Sequence, residues 1–366
     1  MGFFPDKPLL ERTSDEWLEL LYDDRPMCAT PPPLGYSISL TTAHLIAVPI
    51  YLAAFWTLYA EKSPNFKIYK KYLAFHAVSN FIFEFHLSFA MKPVLYLPYI
   101  VTRFVGTWKF RYLNGSIMFF IFLFIIGTTC WSIVELFHYR FKLISSSSLV
   151  SDWVKTVSSV LNKLIYLLIL FTFLSAASMS LCIPGLFDQV IHKKKLKAAE
   201  IYPEIMCMSA LTLPVGDSYG LKPIYIFNMF AILTCVLGIG MCIVMGGASL
   251  IALTEMISQT RTSRKTVSMH RTFLFSLFVQ IGVHLVMLGF PIGIYIFTVI
   301  TKLDANQMGY AAIVLASMHG AMATLAMILF NRPLYELIFN KIKSIFTPNN
   351  VVVRNLSFVS MLQQSR

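Results

Sequence analysis

The chain is organised as long apolar stretches separated by short polar connections. At 1.5 Å per residue, about 20 apolar residues in a helix cross a hydrocarbon core about 30 Å thick. Seven stretches without lysine, arginine or aspartate reach this length: Tyr36–Tyr59, Tyr72–Met91, Gly115–Val134, Leu164–Phe187, Pro223–Thr254, Thr272–Thr301 and Ala305–Asn331. The pattern therefore predicts seven membrane-spanning helices. An eighth stretch, Pro93–Thr102, is too short to cross and holds two prolines, so it is predicted to lie at the membrane interface.

Composition supports a membrane protein. Apolar residues make up 57% of the 366 residues and charged residues 13%, whereas soluble domains average about 45–50% and about 25%. The net charge of +12 could indicate nucleic-acid binding, but the sequence shows no gathered basic block of the kind that binds nucleic acid. We therefore attribute the charge to basic residues that flank the spans. The predicted fold class is an all-α membrane protein, a seven-transmembrane helix bundle.

The distribution of basic residues predicts an N-terminus outside the cell. With that orientation the inner segments hold 17 lysines and arginines and the outer segments hold 13, which is the bias expected of cytoplasmic loops. The N-terminal segment adds seven acidic residues against three basic ones. The cluster His192–Lys197 runs against this orientation, because it would lie outside.

Four segments follow from this reading. Residues 1–35 form an extracellular N-terminal segment, residues 36–331 the seven-helix domain, residues 332–346 a further helix, and residues 347–366 a cytoplasmic tail. The further helix is predicted because its apolar side chains fall at helical spacing. They are Leu334, Leu337, Ile338, Ile342, Ile345 and Phe346. With two lysines elsewhere on the turn, this is an amphipathic helix along the inner membrane face.

Polar side chains inside the second span form a stripe. His76, Asn80 and Glu84 recur every four residues, which confines them to an arc of about 80° that should face the bundle. His86 points to another side of the helix. The stripe is either a seam that hydrogen-bonds neighbouring helices or a contact for a ligand or ion, with Glu84 the best candidate for the second role.

The sixth and seventh spans also carry polar groups. Gln280 and His284 are one turn apart and precede Pro291, which removes a backbone hydrogen bond and kinks the helix. This is either a satisfied core histidine beside an inert kink or a moving element hinged at Pro291. His319 is followed by Gly320, where a close helix contact is expected.

Signatures of catalysis are missing from the sequence. It contains no H-E-x-x-H, no G-x-S-x-G, no phosphate-binding glycine loop, and its six cysteines show no C-x-x-C spacing. We therefore predict a protein that is not an enzyme and has no cofactor or metal. A secondary transporter would usually show paired broken helices in two related halves. A transporter or channel for a small solute or ion is kept as the alternative function.

Four stretches between residues 28 and 335 resemble one receptor family. They are His44 with Ala47, Pro49 and Ile50; the segment Lys92–Pro98; the interval from Gln280 to Pro291; and Met318–Thr324 followed by Pro333. By these motifs the chain resembles the nematode seven-transmembrane serpentine chemoreceptors of class H, or a sister class. It departs from the family at Leu136 and Phe137 after Glu135, at His284 in place of a proline, and at Leu334 between Pro333 and Tyr335.

The resemblance implies a G-protein-coupled chemosensory receptor. Such a receptor would sit in the plasma membrane of a sensory neuron or of its cilium, and bind a small odorant or secreted signal. Its partners would be that ligand, a heterotrimeric G protein and the lipid bilayer, with no nucleic acid.

The predicted topology assigns candidate roles to individual residues. The ligand site in the outer half of the bundle would use Glu84, His86, Asn228, His284 and Tyr295. The G-protein contact would use Glu135, Tyr139, Arg140, Arg261, Arg264 and Lys265. Glu135 would either hold a base of the neighbouring loop, Arg264 or Lys265, or stand as a solvated charge. A disulfide is expected between Cys28 and Cys207, with Cys182 as the competing partner.

Overall fold

The structure is a computed structural model. It describes residues 26–63, 66–97, 99, 101–106, 114–146, 150–180, 198–212, 221–258, 264–303 and 306–346. Eight helices account for most of them: α1 (Leu34–Ala60), α2 (Lys67–Phe85), α3 (Gly115–Ser145), α4 (Asp152–Ser180), α5 (Leu221–Ser258), α6 (Arg264–Thr301), α7 (Asn306–Phe330) and α8 (Arg332–Phe346). A six-residue π-helix, His86–Met91, continues α2.

The first seven helices form the predicted transmembrane bundle. By length and composition, α1 and α3 to α7 contain segments able to cross a membrane. The more polar helix is α2, which carries three lysines in its first turns and Glu84 near its end. Together with the π-helix, its backbone is long enough to cross a hydrocarbon core of about 30 Å.

Helix packing closes the bundle into a ring. α7 contacts α6, α1 and α2, while α5 contacts α4 and α3, and α2 also contacts α3. Large apolar side chains such as Leu45, Phe124 and Val236 point away from the bundle and are exposed, as expected of side chains that face lipid. The close contact predicted at Gly320 is present, because a Cβ there would lie 3.0 Å from the Cβ of Asn80.

The helices begin and end further from the membrane core than the hydropathy pattern predicts. α3 continues past Val134 to Ser145, and α6 begins at Arg264, so most of the basic segment expected as a loop is helical. Hydropathy detects only the part of a helix that lies in hydrocarbon, whereas backbone hydrogen bonding continues into the polar region. Glu135 and Arg140 therefore lie within α3, beyond the end predicted for the third span.

A small β-sheet covers one end of the bundle. β1 (Pro93–Tyr96), β2 (Val101–Phe104) and β3 (Ala210–Thr212) are antiparallel in the order β1-β2-β3. The stretch predicted only as interfacial is thus the first hairpin of this sheet. Phe104 and Leu211 pack with buried residues of α2 and α3. We call this end, which also carries the disulfide, the disulfide end; the other is the α8 end.

The disulfide joins the start of the described chain to this sheet. Cys28 and Cys207 are bonded, with Cα atoms 5.7 Å apart, and Cys207 lies three residues before β3. Cys182, the competing partner, lies outside the described residues. The Arg103 guanidinium donates to the carbonyls of Cys28 and Thr30, each at 2.8 Å, so a buried base of β2 holds the same segment.

Candidate functional site

Buried polar side chains of three helices meet at mid-depth in the bundle. His76 and Asn80 come from α2, His284 from α6 and His319 from α7, and all four side chains are buried. The imidazole centroids are 5.7 Å apart for His76 and His284, and 5.1 Å for His284 and His319. We call these four residues the polar cluster. Among the described residues, no three side chains are arranged to hold a metal ion.

In the α2 part of the polar cluster, both ring nitrogens of His76 are hydrogen-bonded. Nδ1 of His76 lies 2.8 Å from the Ser132 hydroxyl of α3, and that hydroxyl donates to the carbonyl of Thr129 at 2.6 Å. The amide nitrogen of Asn80 lies 3.1 Å from Nε2 of His76. Three hydrogen bonds thus run in series from Asn80 to His76, from His76 to Ser132 and from Ser132 to the α3 backbone. They join the second span to α3, as expected of a polar seam between helices.

The two other histidines bond to their own helices. Nδ1 of His284 lies 2.8 Å from the carbonyl of Gln280, and Nδ1 of His319 lies 2.6 Å from the carbonyl of Ala316. The ring of Phe83 meets that of His319 edge to face at 4.5 Å. Each imidazole is therefore fixed in orientation by a backbone carbonyl, and its second nitrogen points away from its own helix.

Glu84 contacts α1 and not the polar cluster. Its carboxylate lies 2.9 Å from Nδ1 of His44 and accepts from the Ser88 hydroxyl at 2.8 Å. His44 in turn contacts the rings of Phe85 and Phe89, both exposed on the outside of the bundle. Each four-residue step turns a side chain by about 40° around the helix, which carries Glu84 from the polar cluster to the α1 side.

The remaining ligand candidates are spread over several helices. His86 lies in the π-helix, where it is buried beside Met118 of α3. Asn228 and Tyr295 belong to α5 and α6, but their side chains lie outside the described part of the chain. The geometry thus brings His284 together with His76, Asn80 and His319, and it separates Glu84 and His86 onto different faces.

At the disulfide end, two ionisable groups are buried beneath the sheet. The Tyr96 hydroxyl donates to the Glu204 carboxylate at 3.3 Å, and its burial raises the pKa of Tyr96. Lys92 connects the π-helix to β1 with a left-handed backbone, and burial lowers the pKa of its ammonium. Both groups are therefore biased toward the neutral form, which suits a cover over an apolar bundle.

At the α8 end, an arginine is stacked among tyrosines. Arg140 is buried, with its guanidinium carbon 3.3 Å from the centroid of the Tyr69 ring. The ring of Tyr139 stacks on Tyr69 at 5.8 Å and on Tyr72 at 4.7 Å. Tyr139 and Arg140 were predicted at this end from sequence, whereas their partners on α2 were missed. The aromatic residues in the first turns of α2 were the available signal.

The other coupling candidates are only partly described. Glu135 is half-buried on α3. Arg264 and Lys265 lie in the first turn of α6, but their side chains fall outside the described part, as does the whole of Arg261. The pair between Glu135 and a base of α6 stays a prediction. Pro291 lies inside the continuous helix α6, so its role as a hinge is likewise still a prediction.

A second polar contact, missed from sequence, joins α6 to the junction of α7 and α8. The Ser276 hydroxyl accepts from the side-chain amides of Gln280 and Asn331, each at 3.0 Å. Asn331 separates the two helices, and its carbonyl accepts from the backbone of Leu334 at 2.9 Å at the start of α8. The spacing of Ser276 and Gln280, one helical turn apart, was the available signal.

Comparison with known proteins identifies the family. The family model for the serpentine-type seven-transmembrane G-protein-coupled chemoreceptors Srh matches residues 32–344, from before α1 into α8. No curated protein matches the chain. The match covers most of the sequence and all seven helices of the bundle, and nothing in it favours a transporter or channel. The chain therefore belongs to the Srh family of serpentine seven-transmembrane chemoreceptors.

Proposed function

We propose that the disulfide end faces the outside of the cell and the α8 end faces the cytoplasm of the plasma membrane. The bond between Cys28 and Cys207 requires an oxidising compartment, which supports an outer location for that end. The excess of basic residues in the segments at the α8 end agrees with this orientation. In a sensory neuron the membrane would be that of the cilium.

Epitope tags at the two chain ends test this orientation. We expect an N-terminal tag to be stained on intact cells and a C-terminal tag to be stained only after permeabilisation. Staining of the C-terminal tag alone on intact cells would reverse the orientation. A tag inserted at Ser146–Leu149, between α3 and α4, is the matched control, because it should behave like the C-terminal tag.

The proposed ligand is a small odorant or secreted chemical signal, bound inside the bundle between its mid-depth and the disulfide end. The main support is the polar cluster, which places imidazole and amide groups in an otherwise apolar interior. Ligand sites in proteins combine an apolar lining with a few polar groups that fix orientation. Phe83, Met118 and the neighbouring apolar residues supply such a lining.

The proposed cytoplasmic partner is a heterotrimeric G protein that contacts the inner ends of α3 and α6. Coupling requires an element with two states that ligand and partner both bias. α6 is suited to this role because it carries His284 at mid-depth, Pro291 toward the disulfide end and Arg264 at the α8 end. Motion of one helix would then link the two sites.

Expression in heterologous cells with a G-protein reporter tests the whole proposal. Panels of volatile and water-soluble chemicals should include compounds that activate the receptor. The substitution His284→Ala should weaken the response to the activating compound, while the amount of receptor at the cell surface stays the same. If that variant instead fails to reach the surface, His284 is structural. Ionic current that persists when G proteins are blocked would favour a channel or transporter.

A further inference from the structure

The protonation of three buried histidines follows from their hydrogen bonds. A backbone carbonyl only accepts, so Nδ1 of His284 and Nδ1 of His319 must carry the protons donated to Gln280 and Ala316. The Ser132 hydroxyl gives its proton to Thr129 and therefore accepts from Nδ1 of His76. All three imidazoles thus donate through Nδ1.

A neutral imidazole with its proton on Nδ1 presents a lone pair at Nε2. The lone pair of His76 receives the amide N–H of Asn80. Nε2 of His284 and Nε2 of His319 are buried and have no hydrogen-bond partner among the described residues. Two neighbouring imidazoles, 5.1 Å apart, therefore each offer an unfilled acceptor.

Two amide oxygens extend the same set. Asn80 directs its nitrogen at His76, and its oxygen has no partner within the described part of the chain. Gln280 directs its nitrogen at Ser276, and its oxygen is equally unpartnered there. Four buried acceptor atoms on α2, α6 and α7 thus lack a donor among the described residues. Buried acceptors without donors are unfavourable, so this set is complementary to a group that donates.

The donor that fits is neutral. A buried ammonium needs an opposite charge beside it. The carboxylate of Glu84 lies on the α1 side, where His44 and Ser88 contact its Oε1, and it makes no hydrogen bond to the polar cluster among the described residues. A hydroxyl needs no such charge and matches lone pairs of nitrogen and amide oxygen. The apolar side chains above the polar cluster, such as Phe83 and Leu87, suit a hydrocarbon body attached to it.

We propose that the hydroxyl of an apolar alcohol binds among the acceptors of His284, His319 and Asn80 and donates its one proton to Nε2 of His284 or Nε2 of His319, which makes this receptor selective for alcohols. The assignment rests on the proposed ligand site and names its chemical class. It adds His319 and Asn80 to the ligand site: His319 was not a ligand candidate from sequence, and Asn80 was one only as part of the α2 stripe. A buried water also donates hydrogen bonds, so a site permanently filled by water is the competing account.

Thermal unfolding of the purified full-length receptor in detergent tests the proposal without a known ligand. The probes are 1-butanol, cyclohexanol and 1-octanol, each paired with the fluoro analogue that has nearly the same shape but no donor. A ligand that binds only the folded state raises Tm. We expect at least one alcohol to raise Tm by about 2 °C or more above its analogue. Equal Tm for every pair would overturn the proposal.

Two substitutions separate the site from general solvent effects. His284→Asn and His319→Asn keep an N–H close to the position of Nδ1 and remove the acceptor at Nε2. We expect the substitution that removes the accepting Nε2 to abolish the difference between alcohol and analogue. The matched control, His138→Asn, removes a histidine that is outside the polar cluster and hydrogen-bonded to Asn162 of α4; the difference should persist there. A difference that survives in both cluster variants would reject the site.

A second measurement on the wild-type receptor covers the case in which the variants do not fold. In receptor labelled with [15N]histidine, hydrogen bonding by the preferred alcohol should move the Nε2 resonance of the imidazole that accepts the proton, and the fluoro analogue should leave it in place. Unmoved Nε2 resonances would reject the contact. A G-protein reporter in cells separates this proposal from the proposed receptor function. Stabilisation by alcohols without any G-protein response would reject the receptor function and support the alcohol site. Signalling with no preference for alcohols would support the receptor function and reject the alcohol site.

Discussion

The guanidinium of Arg140 on α3 lies flat over the ring of Tyr69 on α2, 3.3 Å from its centroid. Arg140 is buried, so this cation–π contact is shielded from water and joins two helices at the α8 end. Such contacts contribute about 0.5 to 2 kcal/mol. If a G protein engages Arg140, it has to draw the guanidinium away from Tyr69, so we expect the stack to favour the state without a G protein.

The first prediction removes this stack. Tyr69→Leu should raise basal signalling roughly two- to thirty-fold, because the uncoupled state loses a contact that the coupled state lacks. Tyr69→Phe is the control, since it keeps the ring and should leave basal signalling near that of the wild type. A G-protein reporter at matched surface level measures both. Unchanged basal signalling in Tyr69→Leu would mean that the stack is present in both states.

The second prediction concerns Glu135. Five residues separate it from Arg140, which places the two on different sides of α3, so a base of α6 is the expected partner. Glu135→Gln should raise basal signalling by up to about five-fold, because a partly exposed ion pair contributes about 0 to 1 kcal/mol. Asp152→Asn is the control, since Asp152 pairs with Lys155 in its own helix at 2.9 Å.

A normal ligand response with unchanged basal signalling in Glu135→Gln would leave Glu135 as an ordinary surface charge. The same reporter, run with Asp152→Asn in parallel, shows whether loss of any acid at this end alters signalling. A rise in both variants would point to a general change of charge.

The helices were predictable because their signal is local. A run of about 20 apolar residues specifies a spanning helix whatever lies beside it. Even the composite character of α2 follows from its sequence, since its lysines and Glu84 lower its hydropathy but leave the helical spacing intact. The predicted ends of α3 and α6 were too near the membrane core, because hydropathy does not detect the polar parts of a helix that extend beyond the lipid.

The sheet and the polar cluster depend on distant residues and were predicted only in part. β3 pairs with β2 across more than a hundred residues of chain, through three-residue contacts too short for a pattern. The stripe of α2 indicated that His76 and Asn80 face the bundle. The partner of Glu84, however, depends on which helix packs against that side of α2. His44 occupies that position on α1, and no spacing rule relates the two.

The third prediction tests the bond between Cys28 and Cys207. Serine at either position should lower the free energy of unfolding by about 2 to 5 kcal/mol, because the bridge restricts a long loop of the unfolded chain. The double variant should be no less stable than either single variant. Cys235→Ala is the control, since Cys235 is a free cysteine on α5. The amount of receptor at the cell surface reports the loss of stability, and peptide mapping under non-reducing conditions reports the bond. Losses of stability that add up in the double variant would contradict the pairing.

The last prediction concerns the contact between α7 and α2 at Gly320. A Cβ at this position would lie 2.6 Å from the Tyr51 hydroxyl and 3.0 Å from both the Cβ and the carbonyl oxygen of Asn80. Gly320→Ala should destabilise the bundle by about 1 to 3 kcal/mol, because neither helix backbone can yield without disturbing the other contacts. Displacement of Asn80 would also weaken its bond to His76.

Gly282→Ala on α6 is the matched control, since no described atom outside the neighbouring helix backbone would lie within 4 Å of a Cβ added there. In a helix, alanine is intrinsically preferred over glycine by up to about 1 kcal/mol, so this variant should be neutral or slightly stabilised. In the same detergent, Gly320→Ala should lower Tm by roughly 2 to 10 °C relative to Gly282→Ala. Equal Tm for the two variants would show that α7 can move away from α2 at little cost, and the polar cluster would then depend on its hydrogen bonds and not on this close packing.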